Sequence, residues 1–228
     1  MTINVWEKIS HLAAQFNHLL EKSGDPWVVQ NPNYDWDNTI YKSNHYRRAH
    51  VEVVDRRDTH KIYILHCTVF PHYNDSSPIF GFDAVCGPNK ITGAFLDYSA
   101  SGDRDHPMMQ WFGEQTRDLE WNKPRELPDW AQAIFSPAMV AAGNVNTETE
   151  LDLLCHLALR TFDYYLSTVG HSQESGSDYH MAQNRYCRYQ KQNPHVVKSM
   201  VSMGVPEPVI REFVEYVLFP ETRQIIFH

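Results

Sequence analysis

The chain has 228 residues, of which 28 are acidic and 20 are basic, so its formal net charge is −8. That length suits one domain or two small ones, and it is sufficient to build a hydrophobic core without disulfide or metal staples. Apolar residues make up 42% of the chain and charged residues 21%, which excludes long disordered tracts. The longest apolar run, 138–142, is far shorter than the roughly 20 residues of a membrane-spanning helix, and no secretory signal is evident. We therefore expect no membrane partner.

The charge balance also bears on nucleic acids. Binding to phosphates requires clustered Lys and Arg, and an acidic chain makes this an unsuitable main task. Two pairs, Arg47-Arg48 and Arg56-Arg57, leave room for a small basic patch. We expect no nucleic-acid partner.

The first predicted element is a helix over residues 3–22. Apolar residues recur there at steps of three and four, and Gly24 and Pro26 end the pattern. From 27 to about 98 the period changes to two, which predicts strands at 46–55, 61–70, 78–86 and 90–97. The connections between these strands are short and rich in turn residues. They favour antiparallel hairpins, because a parallel crossover needs about a dozen residues or more.

The last part of the chain is predicted to be helical. Thr147 and Glu150 have the spacing of a capping box and precede an apolar stripe that ends at Gly170. Another helix is predicted around 179–191. A final helix is expected to open at Pro206 and to carry inward-facing apolar residues as far as Leu218.

One helix, then strands, then helices predict the α/β class. We expect one domain over residues 1–228, an α/β/α sandwich with a central antiparallel sheet flanked by helices. The four cysteines are far apart and include no Cys-x-x-Cys pair, which favours buried, reduced thiols in a cytoplasmic protein. If the gene belongs to a phage, the expected location is the cytoplasm of the host. We also expect a monomer.

Four ionisable residues interrupt the apolar pattern of the predicted strands. His50 and Glu52 share one face of their strand, opposite its apolar side chains, while His66 and Asp83 stand inside otherwise apolar strands. If helices cover both faces of the sheet, these groups are at least partly buried. Buried charges must pair, shift their pKa or serve a ligand. Any one of them alone would suit a satisfied core residue, but four on three successive strands predict a functional site.

The sequence contains no motif for several common kinds of site. There is no His-Glu-x-x-His, paired Cys or Asp-rich loop, so no metal site is predicted. The absence of Gly-x-Ser-x-Gly argues against a serine nucleophile, and the absence of Gly-x-Gly-x-x-Gly argues against a tightly held nucleotide or flavin. The aromatic content, 6 Trp, 12 Tyr and 11 Phe, suits a bulky core or a pocket for a large flat ligand.

Around these residues the sequence resembles the ferredoxin-dependent bilin reductases, and within that family the branch that forms phycocyanobilin. The matching stretches run in order from about residue 46 to 220. They are 49–53, 63–71, 78–88, 125–130, Tyr186-Cys187 with Asn193, and 217–219.

The resemblance implies a substrate, an electron donor and a mechanism. Members of the family hold biliverdin IXα between an antiparallel sheet and the C-terminal helices. They carry no bound metal or flavin and take single electrons from reduced ferredoxin, so that the bilin passes through radical intermediates. Ferredoxins are usually acidic, so docking requires a local basic patch, for which Arg125, Lys191 and Lys198 are the candidates.

The resemblance also implies residue roles. Asp83 is expected to be the central proton donor, His66 to hydrogen-bond the lactam end of the ligand, and His50 to stand behind His66. Glu52 matches the carboxylate that serves reduction of the D-ring vinyl group. A carboxyl in an apolar pocket has a raised pKa, which suits a proton donor near neutral pH.

The resemblance also implies contacts with the propionate groups at the edge of the ligand. Arg125 and Thr92 are expected to hold propionates, with Asn193 nearby and Phe219 in the pocket wall. The family usually has an Asp and often a basic residue after this Asn, where the chain has Pro194 and His195.

Three functions stay open. The leading one is reduction of biliverdin to phycocyanobilin, which Glu52 favours. A phage-type relative of the same branch forms phycoerythrobilin instead, and Pro194 and His195 leave the position of the bilin open. The third function is that of a non-catalytic bilin or heme carrier, which would need the pocket but not Asp83, His66 and Glu52 together.

Overall fold

The computed structural model describes residues 3–27, 34–102 and 105–222. Within these ranges the strands are β1 (Asp25–Pro26), β2 (Asp37–Lys42), β3 (Tyr46–Arg56), β4 (Ile62–Pro71), β5 (Ile79–Cys86), β6 (Ile91–Ser99) and β7 (Val140–Val145). The helices are α1 (Val5–Ser23), α2 (Pro107–Thr116), α3 (Asp129–Gln132), α4 (Glu148–Thr168), α5 (His180–Gln190), α6 (Pro194–Ser202) and α7 (Glu207–Phe213). A π-helical turn (Val214–Leu218) continues α7.

The seven strands form one antiparallel sheet in the order β1 to β7, so each strand pairs with its neighbours in sequence. The four predicted strands correspond to β3–β6, and their antiparallel pairing is confirmed. Three strands were not predicted: the edge strands β1 and β7, and β2 beside β1. All three are short and contain residues of low strand propensity, so pairing with the inner strands outweighs the local preference.

One face of the sheet packs against α1, α2 and α4. Phe16 of α1 lies at the centre of this layer, with its ring centroid 4.5 Å from that of Phe162 in α4 and 5.5 Å from that of Phe82 in β5. The alternate strand residues predicted to be apolar, such as Ala49 and Val51, are buried here. This layer supplies the larger hydrophobic core.

The opposite face is covered by α3, α5, α6, α7 and the π-helical turn. A second, smaller core forms there, in which Ile64 and Phe70 of the sheet pack with Tyr186, Met200 and Phe213 of the helices. The sheet thus lies between two helical layers, which confirms the predicted α/β/α sandwich. No described helix has both the length and the apolar character needed to cross a bilayer.

The start of α4 differs in one respect from the predicted capping box. Thr147 Oγ1 accepts the backbone N–H of Glu150 at 3.3 Å, as expected. The Glu150 carboxylate, however, accepts the backbone N–H of Asn122 at 2.7 Å. Glu150 therefore also fixes the loop that precedes α3.

The final predicted helix is α-helical only as far as Phe213. The π-helical turn then widens the backbone, and the N–H of Phe219 donates to the carbonyl of Val214 at 3.1 Å. Such turns are frequent at functional sites because they re-aim the side chains that follow.

The small basic patch for which the two arginine pairs left room is not formed in the structure. A register shift in β3 between Tyr46 and Arg48 marks a β-bulge, and both Arg47 and Arg48 contact the C-terminal helical layer. Arg48 is only 4% exposed. Arg56 and Arg57 pair with Asp35 and Asp55, so neither pair presents free surface charge. All four cysteines are free thiols, and three of them are buried.

Candidate active site

A cavity of about 620 Å³ opens between the sheet and the C-terminal helical layer. Its floor is the face of β3–β6 that carries the polar interruptions. Its walls come from the segment 123–139 and from α5, α6 and the residues after the π-helical turn. Apolar and aromatic side chains dominate the lining: Ile64 and Phe95 on the floor, and Trp130, Phe135, Met200 and Leu218 in the walls.

Three of the predicted catalytic residues lie side by side on the cavity floor. Glu52 of β3 is the register partner of His66 in β4, and His66 is the register partner of Asp83 in β5. Because directly opposed residues point to the same face of a sheet, their side chains form one row, and all three line the cavity. The antiparallel register therefore assembles residues that lie far apart in sequence.

His50 lies behind this row and does not line the cavity. It is fully buried, its ring centroid is 6.1 Å from that of His66, and its Nε2 is 2.9 Å from Asn38 Oδ1. The sequence-based expectation that His50 stands behind His66 is consistent with this placement.

The two carboxyl groups hold their protons more strongly than usual. Burial raises the pKa of Glu52 to about 8, and the neighbouring Asp83 carboxyl contributes to that shift. Burial raises the pKa of Asp83 to about 7. Asp83 is only half-buried because it faces the cavity, and a bound apolar ligand would desolvate it further.

The two imidazoles shift in the opposite direction. Burial lowers the pKa of His66 to about 3, and the positive charge of Arg48 adds to the effect. The pKa of His50 lies well below its usual value for the same two reasons, with His66 as a third contributor. At neutral pH the site therefore combines carboxyl groups that can hold a proton with imidazole rings that stay neutral.

Arg125 reaches the cavity through an extension of the sheet. Its backbone N–H donates to the carbonyl of Ala141 in β7 at 2.9 Å, and Lys123 accepts from Gly143 at 2.7 Å. The arginine side chain crosses two glycines that are register partners, Gly93 and Gly143. A Cβ on Gly93 would lie 2.6 Å from Arg125 Nη1, and one on Gly143 would lie 3.1 Å from Arg125 Cγ. The missing side chains of these glycines are what allow the arginine to lie here.

The other predicted contact residues also line the cavity. Thr92 is exposed at its edge and donates from Oγ1 to the carbonyl of Val85 at 2.9 Å. Asn193 caps α6 by accepting the backbone N–H of His195 at 3.0 Å. Pro194 follows as the first helical residue, a position that tolerates proline because its N–H would be unpaired. His195 is exposed and lies at the rim.

Phe219 and Tyr186 form an aromatic wall over the polar row. The Phe219 ring meets His66 edge to face at a centroid distance of 5.7 Å, and it is 6.4 Å from the Tyr186 ring. The Tyr186 hydroxyl accepts from Gln190 Nε2 at 2.8 Å. Tyr186 belongs to a matched stretch of the sequence, but neither it nor Gln190 was predicted as a site residue.

Sequence reasoning missed a further carboxyl at the cavity, Asp97. Asp97 is two residues after Phe95 in β6, so both side chains point to the cavity. The alternation of residues along this strand could have revealed Asp97 from the sequence. Asp97 accepts from Ser99 Oγ at 2.6 Å and from the backbone N–H of Ser136 at 3.0 Å. Burial raises its pKa, and the bonds from Ser136 and Ser99 oppose that shift. These bonds indicate a structural role at the base of the wall.

The predicted docking cations differ in availability. Lys191 pairs with Glu215 at 2.8 Å and with Glu221 at 3.1 Å, so its charge is neutralised. Lys198 and Arg125 are exposed and take part in no ion pair between described residues. The same holds for Lys123, which lines the cavity. In the described part of the chain, no group of three His, Cys, Asp or Glu is arranged to hold a metal ion.

The comparisons with known proteins agree on one family. The family model for ferredoxin-dependent bilin reductases matches residues 5–220. The chain is 30% identical over 196 residues to a phycocyanobilin:ferredoxin oxidoreductase of Trichodesmium erythraeum, covering 81% of this chain and 73% of that protein. It is 28% identical over 166 residues to the corresponding protein of Prochlorococcus marinus, covering 69% of this chain and 66%, just under two thirds, of that protein.

Solved structures agree on the fold. A structure of PcyX superposes with a TM-score of 0.69 at 24% identity, covering 94% of this chain and 99% of that one. Tomato phytochromobilin synthase in complex with biliverdin superposes with a TM-score of 0.68 at 15% identity, covering 94% of this chain and 82% of that one. The family resemblance inferred from the sequence motifs is confirmed, and with it the enzyme class, a ferredoxin-dependent bilin oxidoreductase. The chain belongs to the ferredoxin-dependent bilin reductase family.

Proposed function

We propose that this protein reduces biliverdin IXα with single electrons from reduced ferredoxin, and that Asp83, His66 and Glu52 handle the accompanying protons. The observation that carries the proposal is the row of these three side chains on the cavity floor. Two carboxyls with pKa values raised to about 7 and about 8 flank a neutral imidazole. A proton donor works best when its pKa is close to the working pH.

The cavity suits a large flat ligand with acidic substituents. Its volume of about 620 Å³ is within the usual range of about 300–1,000 Å³ for ligand sites. Aromatic walls match the tetrapyrrole, while the Arg125 guanidinium at the rim matches a propionate carboxylate. Thr92, Asn193 and His195 offer further polar contacts around the same opening. Phe219 would pack on the ligand above His66.

The chemistry proceeds one electron and one proton at a time. An electron from ferredoxin places negative charge on the bilin, which raises its affinity for a proton. Asp83 gives up its carboxyl proton to the ligand, and His66, as a neutral ring, orients the lactam by hydrogen bonding. The carboxylate formed on Asp83 is costly in this buried row, which favours its rapid reprotonation. No metal or flavin takes part in these steps, and the reducing equivalents come from ferredoxin.

The product proposed is phycocyanobilin, whose formation requires reduction at the D-ring vinyl group as well as at the A-ring end. Glu52 is the second proton donor on the cavity floor and is assigned to the vinyl group. Glu52→Gln should therefore stop after the first reduction and yield a bilin with its D-ring vinyl intact. Chromatography of wild-type and variant reaction mixtures against authentic bilins checks this. Phycoerythrobilin from the wild type, or phycocyanobilin from the variant at a normal rate, would contradict the assignment.

An anaerobic assay tests the proposed reaction itself. Biliverdin is added to the protein with reduced ferredoxin, supplied by an NADPH- or light-driven system, and the absorbance is followed over time. Conversion to a new bilin is expected. A carrier of bilin or heme would only shift the biliverdin spectrum on binding, and that result would overturn the proposed function. A monomeric state, a cytoplasmic location and the absence of a nucleic-acid partner stay predictions from the sequence.

A further inference from the structure

Arg48 is a buried cation beside the candidate active site. It is 4% exposed and belongs to β3, two residues before His50, so both side chains point to the C-terminal helical layer. None of the ion pairs between described residues includes Arg48. A buried, unpaired guanidinium is costly, and its retention calls for a specific role.

The guanidinium of Arg48 connects the sheet to the π-helical turn. Its Nη2 donates to the carbonyl of Val217, whereas its Nη1 is buried without a hydrogen-bond partner among the described residues. The last carbonyls of a helix lack partners within the helix, so Arg48 satisfies one of them. The next two residues, Leu218 and Phe219, line the cavity, and Phe219 packs edge to face on His66.

The charge of Arg48 acts on the histidines. Arg48 contributes to the lowered pKa of both His50 and His66, after burial. The other titratable groups facing the two rings are Glu52 on the same strand and Asp83 on β5, and Cys187 of α5 lies near Arg48. Among the described residues, Arg48 is therefore the cation whose charge lowers the pKa of both rings.

Arg47, the adjacent arginine, has a different environment. Its Nε donates to Gln183 Oε1 at 2.7 Å, and its guanidinium lies 4.6 Å and 4.8 Å from the ring centroids of Phe70 and Tyr73. These contacts attach β3 to α5 away from the cavity. Arg47 does not contribute to the pKa shifts of His50 and His66. It is thus a matched control for a buried cation on the same strand.

We propose that Arg48 is a positioning residue of this active site: it holds the π-helical turn and Phe219 against His66, and its buried charge opposes protonation of His66 and His50. Protons for the bilin then come from the carboxyl groups, while His66 stays a neutral ring that can hydrogen-bond the ligand. The significance for catalysis rests on the proposed function, whereas the effect on the histidines does not.

The test uses ¹⁵N NMR titration of the histidine rings in the ligand-free protein, with His66→Gln and His50→Gln to assign the signals. Arg48→Met removes the charge and retains an unbranched side chain of similar length, which can be buried without a partner. We expect the midpoint of His66 to rise by about one unit or more in Arg48→Met. Arg48→Lys should restore the wild-type titration, and Arg47→Met should leave it unchanged.

Two results would overturn the proposal: identical titrations of His66 in wild type and Arg48→Met, or an equal shift in Arg47→Met. Thermal unfolding of each variant shows whether it has lost its fold. If Arg48→Met is unfolded, the His66 titration is compared between Arg48→Lys, which keeps the charge, and Arg48→Gln, which removes it. A second measurement is the pH profile of biliverdin reduction, whose acidic limb should move to higher pH in Arg48→Met and return in Arg48→Lys. If wild type fails to reduce biliverdin, the proposed function is wrong, while the ligand-free titration still decides the role of Arg48.

Discussion

Asp83 is the residue at which the geometry and the electrostatics of the cavity converge. It lies between His66 and Phe95 in the register of the sheet, faces the cavity, and has a pKa raised to about 7 by burial. Alternation in the sequence was sufficient to find it, because a charged residue in an apolar strand stands out. Arg48 could not be found in that way. Its neighbour is also Arg, and only the β-bulge and the π-helical turn show that it is buried.

Asp83→Asn preserves size and hydrogen bonding but removes the transferable proton. We expect biliverdin to bind and accept an electron, and the radical to accumulate instead of advancing. Electron paramagnetic resonance and anaerobic turnover with ferredoxin measure this. His66→Gln should have the same effect, but more weakly, because its ring orients the ligand. Normal product formation by Asp83→Asn would disprove its role as donor.

The carboxyl groups with raised pKa values also predict how stability depends on pH. Unfolded Asp and Glu titrate near pH 4, whereas Asp83 and Glu52 titrate near 7 and 8 when folded. The folded state therefore binds more protons in this window, and stability is lost as pH rises through it. His50 and His66 have lowered pKa values when folded, so they make the free energy of unfolding rise with pH, but only below about pH 6.5. We expect the free energy of unfolding to fall between about pH 6.5 and 8.5.

The matched variant for this prediction is the double substitution Asp83→Asn with Glu52→Gln. Denaturant unfolding at a series of pH values should give a flatter curve above about pH 6.5 for the double variant than for wild type. Parallel curves would show that these carboxyls are not the groups responsible.

At the scale of elements, the strands β3–β6 and the helices α1, α4 and α5 follow from periodicity alone. The connecting segment 123–139 does not, because it shows no period. Its start is held by β7, Glu150 holds the adjacent Asn122, and the short helix α3 lies within it. Arg125 was expected from a matched motif, but the glycine pair beneath it became visible only when β6 and β7 were placed side by side.

Gly93→Ala tests this support for Arg125. The added Cβ would lie 2.6 Å from Arg125 Nη1, the end of a flexible side chain that can move away at little cost in stability. We expect the dissociation constant for biliverdin to rise about tenfold, as for loss of a charge-assisted hydrogen bond, with Tm nearly unchanged.

Gly113→Ala in α2 is the control, because its Cβ would meet only Ala138 Cβ at 3.8 Å, in the other helical layer. Fluorescence or absorbance titration with biliverdin gives both affinities. Unchanged affinity in Gly93→Ala would show that Arg125 does not need this position to bind the ligand.

At the scale of the molecule, a net charge of −8 must be reconciled with an acidic electron donor. The ion pairs of Lys191 remove one predicted contributor. Lys123 and Arg125 line the cavity and are exposed, and Lys198 is exposed next to the cavity-lining Ser199. Only the folded structure could separate paired from unpaired lysines, because the acidic partners of Lys191 lie 24 and 30 residues away.

Lys123→Glu is expected to raise the KM for ferredoxin roughly two- to fivefold without changing biliverdin affinity by more than a small factor. Raising salt to about 0.5 M should weaken wild-type turnover and reduce the difference between the proteins. Lys22→Glu, the same change on α1 in the opposite helical layer, is the control. A salt-independent KM would exclude electrostatic steering at this face.

The neighbour-by-neighbour order of the sheet has a consequence for biosynthesis. Each strand can pair as soon as the next one leaves the ribosome, and α4 then completes the larger core from residues that precede position 170. The wall from α5 to Phe219, which closes the cavity, is made after that core. A nascent chain therefore acquires a folded platform well before it acquires an enclosed cavity. Ligand capture thus waits until Phe219 has been translated, and a ribosome stalled earlier would carry a chain whose cavity lacks this wall.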